Sequence, residues 1–87
     1  MYRLESGKAG INPKEGTVKA SEKICAEYLR ASKKFPKFNS RHEGYAVIKE
    51  ELDELWDAIK ENATNDLVEE EAVQVGAMAL RFLIDCC

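Results

Sequence analysis

Eighty-seven residues, 45% of them hydrophobic and 33% charged, make one small globular domain, because a typical domain takes about 100–150 residues and a second would not fit. The longest apolar stretch, residues 72–80, is broken by Gln74 and falls well short of the about 20 residues that cross a bilayer, which excludes a membrane span there. The net charge of −3 conceals a division: residues 1–42 hold ten Lys or Arg against four Glu, and residues 43–71 hold eleven acids against Lys49 and Lys60, so a nucleic-acid polymer is not an expected partner.

Residues 1–16 carry Gly7 and Gly10 and lack the apolar run of a secretory signal, so a flexible arm and a cytoplasmic location are expected, followed by a single all-α domain over residues 17–87. Asn12, Pro13 and Glu15 also resemble an N-cap, an N1 proline and a capping-box acid, which gives the first helix an earlier alternative start at Pro13. Its stronger part covers 18–34, where Ile24, Cys25, Tyr28, Leu29, Ser32 and Phe35 recur at helical spacing and Lys23, Glu27, Arg30 and Lys34 fall elsewhere. Pro36 closes it. Ser40 followed by Glu43 is a capping-box pattern that starts a second helix near Arg41. Its stripe is Ile48, Leu52, Leu55 and Ile59, and it fades at residues 62–65.

Asp66 with Glu69 offers a further cap, and a third helix runs from Leu67 to about Ile84. Ala72, Val73, Val75, Ala77, Met78, Ala79, Leu80, Phe82, Leu83 and Ile84 surround that helix with apolar groups, which makes it central. Two other helices do not cover it. A three-helix unit assembling into an oligomeric helical bundle, as a homodimer or homotetramer, is therefore expected, and it answers the thin core that a short chain can build. Cys25 and the adjacent Cys86 and Cys87 match neither a disulfide framework nor a zinc spacing, so free thiols are expected, the last two at a frayed end.

The second helix carries Glu50, Glu51 and Glu54. Glu51 lies about 80 degrees from the centre of the apolar stripe and Glu54 about 140 degrees, with no basic residue one turn away to neutralise them. Glu51 thus borders the core. Glu71 lies one turn before Gln74 on the third helix, and the short connection makes the two helices antiparallel neighbours. Glu51 and Glu54 can then face Glu71 and Gln74, an oxygen-only donor set suited to a hard divalent cation. Against this, acids in a first helical turn, such as Glu69 and Glu70, are favoured by the helix dipole alone.

The run from His42 to Trp56, with Glu50, Glu51 and Glu54, followed by Glu71, Ala72, Val73 and Gln74 and the apolar 75–84, resembles the MazG-like all-α nucleoside triphosphate pyrophosphohydrolases. Their motif is E-x-x-E on one helix and E-x-x-D on the next, and the similarity covers residues 38–85. The resemblance implies a Mg2+-dependent enzyme, with Mn2+ as a substitute, that cleaves a nucleoside triphosphate, most often a dNTP, between the α and β phosphates. It implies Glu51 and Glu54 as catalytic residues and Glu51, Glu54, Glu71 and Gln74 as metal ligands. Gln74 stands where the family has aspartate and brings no charge, so Glu70 is the substitute carboxylate. Many members continue into a further helix beyond the position of Cys87, so the resemblance implies that either a partner chain's residues complete the site or catalysis has been lost.

Lys37 and Arg41 are candidates for the phosphate tail, and Phe38 and Trp56 for the base. His42 has no visible acid–base partner and is assigned a surface role. The alternative reading is a non-catalytic helical oligomerisation or interaction module with a degenerate metal site, favoured by Gln74.

Overall fold

The computed structural model describes residues 12–87. Three helices, α1 (Pro13–Lys34), α2 (Arg41–Lys60) and α3 (Asn65–Cys86), make up an all-α domain. No strand occurs among the described residues. Helix α1 starts at the earlier of its two sequence signals: the Asn12 side chain accepts from the Glu15 N–H at 2.8 Å, with Pro13 in the first turn. Residues 13–16 are therefore helical, and the remainder of the expected arm, residues 1–11, lies outside the described residues. Ser40 caps α2 by accepting from the Glu43 N–H at 3.1 Å, and the Glu43 carboxylate reaches back to the Asn39 N–H at 2.6 Å.

The third cap differs from expectation. Thr64, not Asp66, accepts from the Leu67 N–H, so α3 begins two residues earlier than the Asp66–Glu69 pattern indicates. The α2–α3 connection explains the shift. Asn62 adopts φ 54°, the Asn62 N–H donates to Ile59 and the Ala63 N–H donates to Ala58. This is a Schellman termination, which folds the chain back at once and leaves Thr64 next in line. Replacing Asn62 by valine should cost about 1–2 kcal/mol, since a β-branched residue resists the left-handed region. Glycine there should be neutral or slightly stabilising. Urea unfolding of the two variants checks this, and equal midpoints would contradict it.

Helix α3 is central: it packs on both α1 and α2, whose backbones stay apart from each other. The α2–α3 pair is antiparallel, with Gly44 against Phe82, the Phe38 N–H donating to Asp85 at 3.1 Å, and the Arg41 Nε donating to the Cys86 carbonyl at 3.2 Å. Cys86 also directs its thiol to the Ser40 carbonyl, so the expected frayed end is pinned as far as residue 86. All three cysteines are free.

The buried core consists of Ala31, Ala58, Ala77 and Met78, with Tyr28, Phe38, Val47 and Ile48 packed around part of it. Small residues set the spacing. A Cβ on Gly76 of α3 would meet Ile24 at 2.8 Å, and one on Gly44 of α2 would meet Phe82 at 2.6 Å, so the close approach of α1 and of α2 to α3 each depends on a glycine at the contact. The inward face of α1 is Ile24, Glu27, Tyr28 and Ala31, whereas Cys25, Leu29, Ser32 and Phe35 are exposed, which corrects the stripe read from the sequence. On α2, Ile48 and Leu55 are half-buried, but Leu52 and Ile59 remain 48% and 46% exposed. One partner helix cannot cover so wide an apolar stripe. No helix among the described residues is long and apolar enough to cross a membrane.

Candidate functional site

Because α1 and α2 lie on either side of α3 without touching, they leave a cleft of about 340 Å3 whose floor is α3. Glu27 and Ala31 enter it from α1, Val47 and Glu51 from α2, and Gln74, Met78 and Arg81 from α3. Phe35, Pro36, Lys37 and Phe38 of the α1–α2 loop close one end.

The carboxylates divide between two places. Glu51 and Gln74 share the cleft, while Glu54 and Glu71 line a shallower groove toward the α2–α3 turn. The two places are electrostatically joined. Half-buried Glu51 is raised above the ordinary carboxylate range first by burial, then by Glu54, Glu71, Glu50 and Glu27. Glu71 is raised by burial and by Glu54 and Glu70. Glu70 is exposed on the α1 side, in a groove that also contains Gln74 and Glu27. Among the described residues, no three His, Cys, Asp or Glu side chains converge as a metal-holding group.

The sequence pattern sets Glu27 off the apolar stripe of α1, whereas the structure turns it inward, where it lines the cleft. Its carboxylate takes a two-pronged contact from Arg30, which holds its pKa low against the opposing effect of burial, and the neighbouring Gln74 amide lowers it further. The signal was present: 24, 27, 28 and 31 are positions of one helix face, and a glutamate occupies one of them.

Arg81 was unassigned, although a cation in the middle of an apolar helix is itself informative. It is only 4% exposed. Its Nη2 donates to the Pro36 carbonyl at 2.7 Å, Nη1 meets the Met78 sulfur at 3.7 Å, and the guanidinium lies over the Phe38 ring at 4.3 Å from the centroid. Arg81 thereby fixes the loop that closes the cleft.

The expected substrate-binding residues are split. Phe38 and Lys37 line the cleft, Phe38 half-buried and Lys37 exposed. Arg41 is held at the end of α3 through Cys86, and Trp56 is 56% exposed on another side of α2, with the Lys60 ammonium 5.6 Å from its ring. Neither is among the residues that line the cleft. His42 is exposed. Compared with known proteins, the chain matches no family model, no curated protein and no solved structure.

Proposed function

We propose that the chain is a Mg2+-dependent nucleoside triphosphate pyrophosphohydrolase that yields a nucleoside monophosphate and pyrophosphate. The observation that carries this reading is that Glu51 and Gln74 line one cleft, where burial first and then the neighbouring Glu54 and Glu71 disfavour the ionisation of Glu51. The donor set suits Mg2+ in chemistry, since it is all oxygen and its carboxylates repel one another until a cation joins them. Glu51, Glu54, Glu71 and the Gln74 carbonyl lie in the cleft and the adjoining groove without converging, so they would hold the ion only by side-chain movement toward one another, with Glu70 supplying the charge that Gln74 lacks. When bound, Mg2+ would neutralise the triphosphate and acidify a water.

The chain's own groups do the rest. Glu51, which lines the cleft, is the carboxylate placed to position the attacking water. Lys37 stands exposed at the rim, where its charge can attract an anionic nucleotide to the cleft. Phe38, Val47 and Met78 offer an apolar wall for the nucleoside.

A symmetric dimer or tetramer belongs to the same proposal. Tyr45, Leu52, Trp56 and Ile59 are exposed a quarter-turn round α2 from its buried face, on the flank away from Glu43, Val47 and Glu50 of the cleft. On α3, exposed Ala72, Ala79 and Leu83 lie opposite the cleft-lining Gln74 and Arg81. Pairing through these faces leaves the cleft open. The same surfaces favour the second reading, a non-catalytic oligomerisation module, in which Gln74 marks a site without metal.

Incubation of the protein with each dNTP and Mg2+ should release pyrophosphate, and Glu54→Gln should lower the rate by on the order of a hundredfold or more, as loss of a charged group from such a site does. Release no greater than that of the Glu54→Gln control would leave only the module.

A further inference from the structure

We propose that Arg81 forms the nucleobase end of the cleft and selects bases that carry a ring carbonyl; this rests on the nucleotide reading above. A guanidinium has five N–H donors and no acceptor. Only Pro36 and, weakly, the Met78 sulfur take hydrogen bonds from it, and among the described residues no carboxylate forms an ion pair with Arg81. Buried arginines are normally paired, so this one is left with capacity. Its Nε has no hydrogen-bond partner among the described residues, yet no buried side-chain nitrogen or oxygen lacks one. Arg81 lines the cleft, so the space next to its unpartnered N–H groups includes the cleft.

Position decides between phosphate and base as the occupant. Arg81 follows Gln74 by two helical turns, about 10 Å along the axis. Arg81 meets Pro36 and Phe38 at the loop end of the cleft, away from the α2–α3 turn that Glu54 and Glu71 approach, so a nucleotide with its phosphates at the carboxylates carries its base toward Arg81. The surroundings agree. Pro36, Phe38, Val47 and Met78 supply apolar wall to the cleft that Arg81 lines, which suits a flat ring.

Arginine donors match adjacent acceptors such as O6 and N7 of a 6-keto purine, or the carbonyl of a pyrimidine. Adenine places an amino donor where the 6-keto purine has its oxygen, so a guanidinium donor there meets another donor and loses its bond. Arg81 would thus be a specificity-determining residue, with the carboxylates some two turns away left to the phosphates.

The test compares α,β-methylene analogues of dITP and dATP, which differ at C6, by calorimetric titration with Mg2+. The wild type should bind the inosine analogue tighter by roughly tenfold or more. Arg81→Lys, checked for helicity by circular dichroism, should bring the two affinities together and leave pyrophosphate binding unchanged. Equal affinities in the wild type, or a substitution that weakens pyrophosphate as much as the nucleotides, would overturn the assignment. Binding of neither analogue would overturn it too. Pyrophosphate release in the separate dNTP assay then tells whether the nucleotide reading itself survives.

Discussion

Met78→Ala should lower stability by about 2–3 kcal/mol and the melting temperature by roughly 10–20 °C, read by circular dichroism during thermal unfolding. Three of the four buried apolar residues are alanines, so Met78 is the one large apolar side chain buried among the described residues. It also touches Arg81 and lies under the cleft. The lower half of the usual large-to-small range is expected, because a cavity opening toward the cleft can take in water. Met78→Leu conserves volume and should cost less than about 1.5 kcal/mol. Leu83→Ala provides the contrast. Leu83 is 62% exposed in the single chain, so its loss should change stability by no more than about 0.5 kcal/mol if the chain is monomeric, and clearly more if that face is an interface. A Met78→Ala effect no larger than that of Leu83→Ala would show that the stabilising packing lies at a subunit contact instead.

The dominance of alanine in this core explains which parts of the fold can be read from sequence. Helix starts are local chemistry, and Asn12 and Ser40 announce themselves through a side chain three residues from the N–H it accepts from. Thr64 escapes notice because Asp66 and Glu69 offer the same pattern two residues later, and only the left-handed Asn62 decides between them. Inward faces are harder to place. Hydrophobic periodicity counts large side chains, yet α2 meets α3 through Gly44 and Ala58, which leave little trace in such a pattern. The expected stripe is consequently rotated, and Leu52 and Ile59 lie outside the buried face.

The candidate site is legible to a similar depth. The short α2–α3 connection makes the two acidic helices antiparallel neighbours, so the association of Glu51, Glu54 and Glu71 follows from chain order and length. Their distribution between cleft and groove depends on helix rotation, which the spacing of carboxylates does not contain. Glu27 and Arg81 escape a reading that assumes charged side chains face water. Glu27 is tolerated inside because Arg30 on the next turn neutralises it, and Arg81 because Pro36, Phe38 and Met78 surround it. Each is a polar group at a core position, where a functional role is most readily sought.

Without divalent cations, the chain should lose stability as pH rises from the ordinary glutamate range toward neutrality. Glu51 and Glu71 both have folded-state pKa values above their unfolded ones, through burial first and then through neighbouring carboxylates. The folded state then binds their protons more tightly. The stability that this supplies is fully present below the unfolded pKa and is lost as pH rises through the folded values. Glu27 has the opposite sign: held low by Arg30, it contributes above its unfolded pKa and ceases to as pH falls through its folded value. Between the two, these groups place the stability maximum of the metal-free protein on the acidic side. Glu51→Gln should flatten the upper limb and raise the melting temperature at neutral pH in EDTA. Mg2+ should reverse the order, since an ion that binds only the folded state stabilises it by about 2.7 kcal/mol at a hundredfold excess over Kd, and the substituted chain loses a ligand. The crossing of two melting curves separates this from a simple gain in packing: Glu51→Gln the more stable in EDTA, the wild type in Mg2+. If Mg2+ shifts both proteins equally, or shifts neither, Glu51 does not hold the ion.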